Sequence, residues 1–226
     1  MVELYGIRIS ELPDAGDAKE RFACAKTWCR RHPTHRENDV ARAGIGGLLL
    51  LRAAGITGEI AYTDRGRPYV PDSNVDFNIT HTNRHVFVAI DRRSDPTQVS
   101  RVGIDAEEMG RETRSLDALV ARWFSDSERK LFEKSPDRDT FLRIWTRKEA
   151  LVKWTGEGIG AAVNRDTCAA SVAYGVAFWD FDADGAIVSL CTQEGNSVAG
   201  EIRMLSGKDL TDFFEQEEQK GKEREC

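Results

Sequence analysis

Two carboxylates stand two residues apart at the end of an apolar run, in the stretch VGIDAEE. Asp105 and Glu107 are separated by one residue; because side chains alternate along a strand, both point to one face, about 6–7 Å apart. Two like charges at that spacing repel each other unless a cation or a proton lies between them. A hard divalent ion such as Mg²⁺ suits the pair, since it binds one or two carboxylates and fills its shell with water and phosphate oxygens. The simpler alternative is a solvated acidic strand end.

A second group of charges lies on a helix that the stretch RDTFLRIWTRKEALVKWT predicts, with Gly156 as its end. On a helical wheel Lys148 falls inside an apolar stripe, Glu149 lies on its edge and Lys153 follows one turn later. The stripe consists of Phe141, Ile144, Trp145, Leu151 and Val152, and the other side of the helix carries Arg143, Thr146, Arg147 and Ala150. An inward-facing lysine is expected to reach an acid or a phosphate, and a lysine that extends along the apolar surface into water is the alternative.

Taken together, the two groups resemble a known signature. A G-[IV]-D-x-E strand followed about forty residues later by W-x-x-K-E-[AS]-x-x-K is typical of the 4'-phosphopantetheinyl transferases. The matching residues are Gly103, Ile104, Asp105 and Glu107, then Trp145, Lys148, Glu149, Ala150 and Lys153. The intervening RWFSDSE is similar to the segment that joins the two motifs in that family.

The first half of the chain resembles the same family more loosely. GRPYVP followed by DFNITHT is similar to the family's G-[KR]-P and F-N-[IV]-S-H-S segments, and ENDVARAGIGG is similar to its first helix. The matching positions are Arg42, Arg67, Thr80, His81 and Thr82. With 226 residues and the signature in the second half, the chain resembles the longer, surfactin-synthetase-activating type.

The resemblance implies an enzyme that moves the phosphopantetheine arm of coenzyme A to a serine of an apo acyl or peptidyl carrier protein, releasing adenosine 3',5'-bisphosphate. Asp105, Glu107 and Glu149 are then the metal ligands, for Mg²⁺ or alternatively Mn²⁺. Glu149 is also the expected base, acting directly or through a metal-bound water. Lys153 and Lys148 are expected to be catalytic and, with Asp105, to contact the cofactor. The remaining expected contacts to coenzyme A come from Arg42, Arg67, Thr80, His81 and Thr82.

The order of predicted elements, with helices grouped before strands, indicates an α+β fold rather than a regular βαβ array. The resemblance adds two similar lobes related by a pseudo-twofold, each with a small, mainly antiparallel sheet packed on helices. We expect an N-terminal lobe over 1–100, a C-terminal lobe over 101–205, and an acidic tail over 206–226 that is helical or disordered. A monomer is expected.

Composition excludes several classes. A net charge of −6 argues against binding to nucleic acid, because the phosphate backbone binds proteins with an excess of Lys and Arg. The odd number of five cysteines, without a C-x-x-C pair, argues against a disulfide framework or zinc site and favours a reducing cytoplasm. No signal peptide is apparent, and no apolar run is long enough to cross a bilayer.

Two other functions remain open at this point. One is an inactive relative that binds coenzyme A or a carrier protein without turnover. The other is a metal-dependent phosphatase or nuclease that uses the same acids.

Overall fold

The computed structural model describes residues 1–13, 39–92, 101–110, 116–158 and 165–225. Its helices, in chain order, are α1 (Asp39–Ala53), α2 (Leu116–Trp123), α3 (Asp126–Phe132), α4 (Arg138–Thr155), α5 (Ala170–Tyr174) and α6 (Gly207–Glu225). The strands are β1 (Val2–Arg8), β2 (Ala61–Tyr62), β3 (Pro68–Tyr69), β4 (Val75–His81), β5 (His85–Arg92), β6 (Val102–Glu108), β7 (Val176–Ala183), β8 (Ala186–Gln193) and β9 (Arg203–Leu205). A short 3-10 helix follows β1 at Ile9–Glu11. No helix among the described residues is long and apolar enough to cross a membrane.

The structure combines these helices with small sheets, so the predicted α+β class is confirmed. The antiparallel sheet β6-β8-β7 places Asp105 opposite Ser189 and Glu107 opposite Ile187. The tight turn between β7 and β8 uses Asp184 and Gly185, both in the left-handed region. A four-stranded sheet has the order β4-β5-β1-β9, in which β1 and β9 run parallel.

The chain divides into two compact units. One contains Met1–Leu4, Gly58–Thr82 and Ala89–Ile202; the other contains Tyr5–Thr57, Asn83–Val88 and Arg203–Cys226. This division differs from the predicted boundary near residue 100, because strands β1 and β5 each contribute residues to both units. A periodic sequence pattern locates a strand but does not reveal which distant segments pack around each of its halves.

Helix α4, in the first unit, has clear signals at both ends. The Asp137 side chain accepts a hydrogen bond from the Thr140 backbone N–H at 2.8 Å, and Gly156 ends the helix in the left-handed conformation (φ 74°). Lys148 is buried, as the helical wheel predicts, but the other side of α4 is not exposed: Thr146 and Ala150 are 0% accessible. The Thr146 hydroxyl bonds to the Leu142 carbonyl and to Ser189 of β8, which explains how a polar side can be buried.

Helix α4 approaches strand β6 so closely that the strand needs a glycine. A Cβ atom on Gly103 would lie 2.0 Å from the Ala150 carbonyl oxygen and 2.6 Å from the Trp154 amide nitrogen. Both atoms belong to the backbone and cannot move aside independently of the helix. The glycine of the GIDAE motif therefore sets the distance between the strand that carries Asp105 and the helix that carries Glu149.

The segment after β9 belongs to the second unit. Gly207–Glu225 forms helix α6, so the helical option for the tail applies to these residues. The Gly207 backbone N–H donates to the Glu11 carboxylate, and a Cβ on Gly207 would meet the Glu11 carbonyl at 2.6 Å. The start of α6 is therefore fixed against the 3-10 helix.

Candidate active site

Asp105 is held at its position by two hydrogen-bond donors. The Lys153 ammonium lies 2.7 Å from Asp105 Oδ1, and the Thr80 hydroxyl donates to the same oxygen at 3.1 Å. Lys153 also donates to the Thr80 hydroxyl and to the Ile104 carbonyl, each at 3.0 Å. Three segments that are distant in sequence thus meet at one carboxylate, which is 8% exposed.

Glu149 is the most perturbed carboxylate of the site. Burial, together with the nearby charge of Asp105 and, more weakly, of Glu107, raises the pKa of Glu149 from 4.5 to about 7, against an opposing effect of Lys153. Its side chain lines a cavity and is 8% exposed. Glu149 is therefore a group that exchanges its proton near neutral pH, which is the property expected of a general base. The charges of Asp105 and Glu107 therefore both act on Glu149.

Alternating polar residues on β4 and just beyond it form hydrogen bonds with the edge of β6 that has no neighbouring strand in its sheet. The Asp76 carboxylate accepts from the Val102 N–H at 2.8 Å, and the Asn78 side-chain carbonyl accepts from the Ile104 N–H at 2.9 Å. Thr80 follows on the same face with its bond to Asp105, and the Thr82 hydroxyl bonds to Glu108. Strand β6 is the edge of its own sheet, so these side chains replace a neighbouring strand.

Sequence reasoning assigned Thr80 and Thr82 to cofactor binding and did not single out Asp76 and Asn78. The signal was present, since D-x-N-x-T-x-T places a polar residue at every second position of the strand. Whether the two threonines also contact a cofactor stays a prediction.

His81 is exposed and belongs to the same neighbourhood. Partial desolvation and the Lys153 ammonium lower the pKa of the His81 imidazole, and Asp105 opposes that shift. The lowered pKa favours the neutral imidazole in the protein alone. An anionic group bound beside it would favour the protonated ring.

Lys148 reaches an acid, but not one of the three predicted metal ligands. Its ammonium lies 2.7 Å from Glu128 Oε2, with both side chains 0% exposed, and it also bonds to the Arg165 carbonyl. The other Glu128 oxygen accepts from the backbone N–H and the hydroxyl of Thr167, at 2.9 and 2.8 Å. Glu128 also completes a capping box with Ser125 at the start of α3. Lys148 thus joins α4, α3 and the segment before α5, while its catalytic and cofactor-binding roles stay predictions.

The guanidinium of Arg67 forms its hydrogen bonds with other residues of the protein. It donates to Asp76 at 2.8 Å and to the carbonyls of Lys153, Val102 and Phe77 at 2.5, 2.9 and 3.3 Å. The side chain is 16% exposed and its charge is matched by Asp76. Arg67 lines the cavity while it makes these bonds, and its predicted contact to coenzyme A stays a prediction.

Arg42 lies in the other compact unit. There its guanidinium donates to the carbonyls of Ile9 and Leu12 at 2.9 and 3.1 Å. These bonds fix helix α1 against the chain that follows β1. Its predicted contact to the cofactor stays a prediction.

The acids fit Mg²⁺ by their chemistry more than by their present spacing. Among the residues that the structure describes, no three His, Cys, Asp or Glu side chains are close enough together to hold a metal ion. All three predicted ligands are nevertheless carboxylates, the donors that Mg²⁺ prefers, and the repulsion that raises the pKa of Glu149 is what a divalent cation would offset. At Asp105 the ammonium of Lys153 supplies that positive charge.

A cavity of about 380 Å³ opens beside these residues, within the first unit. Its polar lining comes from Arg65, Arg67, Asn78, Glu149 and Lys153. Pro68, Ile79 and Val152 supply apolar surface, and Gly66, Gly156 and Gly158 lie along its wall. A carboxylate with a raised pKa, a lysine and two arginines around one cavity are groups suited to binding a phosphate ester.

Comparison with known proteins specifies the class. The family model of the 4'-phosphopantetheinyl transferase superfamily matches residues 101–186, the range that holds Asp105, Glu107, Glu149 and Lys153. A 4'-phosphopantetheinyl transferase of Bacillus subtilis is 29% identical over 175 residues, 70% of this chain and 72% of that protein. The 4'-phosphopantetheinyl transferase HetI of Nostoc is 33% identical (56% and 55%), and a putative 4'-phosphopantetheinyl transferase of Haemophilus influenzae is 36% identical (67% and 64%). The chain therefore spans less than two thirds of the length of the latter two.

Glu149 and Lys153 of the signature line the cavity, and these similarities confirm the predicted resemblance to the 4'-phosphopantetheinyl transferases. Over residues 101–186 the chain is therefore similar to the 4'-phosphopantetheinyl transferase superfamily.

Proposed function

We propose that this protein transfers the 4'-phosphopantetheine arm of coenzyme A to a serine hydroxyl of an apo carrier protein. The serine oxygen attacks the β-phosphorus of coenzyme A, and the bond from that phosphorus to the bridging oxygen breaks. Adenosine 3',5'-bisphosphate leaves with the bridging oxygen, and the serine proton passes to a base.

The observation that carries the proposal is Glu149. A carboxylate with a pKa of about 7 accepts a proton at neutral pH far better than an ordinary glutamate. It lines the same cavity as Lys153, one helical turn later on α4. A single helix would thus carry both the proposed base and a cation for the phosphate.

Further residues supply charge to the phosphates. Lys153 is 28% exposed and can turn part of its charge from Asp105 toward an entering pyrophosphate. His81 lies close enough for Lys153 and Asp105 to influence its ring, and a phosphate beside it would be bound by the protonated form. Asp105, Glu107 and Glu149 would hold Mg²⁺ or Mn²⁺, which when bound supplies positive charge to the pyrophosphate.

The test is mass spectrometry of apo carrier proteins incubated with coenzyme A, Mg²⁺ and the full chain. Carriers from fatty-acid, polyketide and peptide synthesis are run in parallel, because the geometry does not single out one of them. We expect a mass gain of one phosphopantetheine on at least one carrier. A chelator and the Glu149→Gln variant serve as controls, and both are expected to abolish the gain.

An absence of mass gain on all three carriers would overturn the proposal. If calorimetry then detected binding of coenzyme A without product, the inactive binding module would replace it. Release of free phosphopantetheine without a carrier would instead indicate a phosphatase. We further propose that the protein acts as a monomer in the cytoplasm; the free thiols of Cys168 and Cys191 are compatible with a reducing compartment.

A further inference from the structure

A row of three polar side chains crosses the sheet β6-β8-β7 on the face that helix α4 covers. Ser189 of β8 lies opposite Asp105 of β6 on one side and opposite Asp180 of β7 on the other. Residues directly opposite each other in an antiparallel sheet point to the same face, with Cβ atoms about 4.5–5.5 Å apart. The row therefore connects an acid of the active site to strand β7 through one serine.

Ser189 also connects this row to helix α4. Its hydroxyl donates to Asp180 Oδ1 at 2.9 Å, and its oxygen lies 2.7 Å from the Thr146 hydroxyl. Ser189 and Thr146 are both 0% exposed, so water does not compete for these bonds. Thr146 precedes Glu149 by three residues, which makes the two side chains neighbours on α4. The pair of hydroxyls thus lies next to Asp105 on the sheet and one turn before Glu149 on the helix.

The acceptor of Ser189 is itself fixed by a cation. The Arg147 guanidinium donates from Nε to the two oxygens of Asp180 at 3.1 and 3.0 Å and from Nη2 to Oδ2 at 2.5 Å. It also lies over the Phe178 ring, with 5.9 Å between the guanidinium carbon and the ring centroid. Since Arg147 balances the charge of Asp180, the carboxylate orients the Ser189 hydroxyl without adding net charge to the site.

Two contacts are needed to fix the direction of a helix over a sheet. One is the close approach of Gly103 to the Ala150 carbonyl, just after Glu149. The bond between Thr146 and Ser189 supplies the second, just before Glu149. Mg²⁺ binds its oxygen ligands at about 2.0–2.1 Å, so a shift of about 0.5 Å in α4 is enough to move Glu149 out of range.

We propose that Thr146 and Ser189 are positioning residues whose hydrogen bond sets the distance between Glu149 and Asp105 and thereby the affinity of the site for a divalent cation. They act through the helix and the strands that carry the acids. The inference rests on the proposed function, in which these acids hold the metal ion. The alternative is that packing alone fixes α4 and that the two buried hydroxyls only satisfy each other. Loss of their bond would then lower the stability and leave the affinity for the cation unchanged.

The experiment is calorimetric titration of the full chain with Mn²⁺, in the presence of coenzyme A and without a carrier protein. Thr146→Val keeps the branched side chain and removes the hydroxyl, whereas Thr146→Ser keeps the hydroxyl. We expect Thr146→Val to weaken Mn²⁺ binding about tenfold, as for loss of a contact that orients a metal ligand, and Thr146→Ser to change it by less than about twofold. Ser189→Ala should weaken binding by a similar factor. The double variant Thr146→Val/Ser189→Ala should be no weaker than the more affected single variant, because the same bond is lost in all three.

Thr192→Val is the matched control. Thr192 is also 0% exposed and also lies on β8, but its hydroxyl donates to the Gln193 carbonyl at 3.0 Å. It is three residues from Ser189 and therefore on the other face of the sheet. Urea unfolding of each variant gives its loss of stability, and we expect Mn²⁺ binding to weaken only where the bond between Thr146 and Ser189 is lost.

Unchanged Mn²⁺ affinity in Thr146→Val, the same weakening in Thr192→Val, or no recovery in Thr146→Ser would each overturn the inference. So would failure of the unmodified protein to bind Mn²⁺. If Thr146→Val does not fold, Ser189→Ala decides in its place, since Thr146 keeps the Leu142 carbonyl and Asp180 keeps Arg147 in that variant.

The outcome is separable from the carrier-protein test. A protein that modifies a carrier but binds Mn²⁺ equally well with and without the Thr146 hydroxyl refutes only the inference. One whose Mn²⁺ affinity depends on that hydroxyl but which modifies no carrier refutes only the transferase proposal.

Discussion

Replacing Lys148 by methionine should destabilise the protein strongly. The substitution keeps most of the side-chain volume, so the change is mainly the loss of the ammonium. Glu128 would then keep a negative charge at 0% exposure without its cation. Removing one partner of a buried ion pair typically costs about 3–5 kcal/mol. Because Glu128 retains the donors of Ser125 and Thr167, we expect a cost near the lower end, about 3 kcal/mol.

The assay is urea unfolding followed by tryptophan fluorescence, since Trp123 and Trp145 pack in the cluster next to α4. A second substitution, Glu128→Gln, tests the mechanism. Glutamine removes the stranded charge but keeps an acceptor for only one of the two backbone donors, Ser125 N–H and Thr167 N–H, so Lys148→Met/Glu128→Gln should recover about 1 kcal/mol relative to Lys148→Met alone. Lys208→Met is the matched control, because that lysine pairs with Asp212 at 80% side-chain exposure. No measurable change is expected there.

Two results would refute this reasoning. If Lys148→Met lowered the free energy of unfolding by less than about 1 kcal/mol, the lysine would behave as a surface residue. Failure of Glu128→Gln to restore stability would mean that the cost comes from packing and not from an unpaired carboxylate.

Three further predictions concern the same unit and the same unfolding assay. The pKa of Glu149 is about 7 in the folded protein, against an ordinary value of 4.5. Its negative charge therefore destabilises the fold only as the pH rises: the effect is absent below pH 4.5 and complete above pH 7. Glu149→Gln should therefore match the unmodified protein at pH 4.5 and exceed it at pH 8 by about 1–2 kcal/mol after allowance for solvent screening, without added metal; equal stability at pH 8 would contradict the shift. Gly103→Ala should cost about 3 kcal/mol or more, because backbone atoms block its Cβ, whereas Gly200→Ala, with nothing within 4 Å, should cost little; equal effects would exclude the close approach. Arg67→Gln should cost about 2–4 kcal/mol through its lost contacts to Asp76 and three carbonyls, and Arg101→Gln less than about 0.5; an unchanged midpoint for Arg67→Gln would return that residue to ligand binding.

Local patterns were sufficient for the elements that carry the site. The Ser125 cap, the glycine that ends α4 and the apolar run of β6 are all short-range signals, in which neighbouring residues compete for the same backbone groups. The spacing of Asp105 and Glu107 likewise follows from alternation along one strand. The family signature could be recognised because it lies on two such elements.

Partners distant in sequence were not accessible in that way. Glu128 lies in the RWFSDSE segment, but its role as the counter-charge of Lys148 depends on how α3 packs against α4. Arg67 matched a basic motif position, yet its surroundings commit it to Asp76 and the backbone. Both outcomes depend on distances between segments, and residue type alone does not encode these.

By itself the sequence determined the chemistry available to this protein: three acids, a lysine one helical turn beyond one of them, and the strand and helix that carry them. Tertiary structure alone decided the electrostatic environment of each group. Burial beside Asp105 gives Glu149 a pKa of about 7, and the packing of β4 along β6 gives Asp105 its donors. The reason is physical: helical and strand periodicity act over a few residues, whereas desolvation and charge coupling depend on all atoms within several ångströms, whatever their position in the chain.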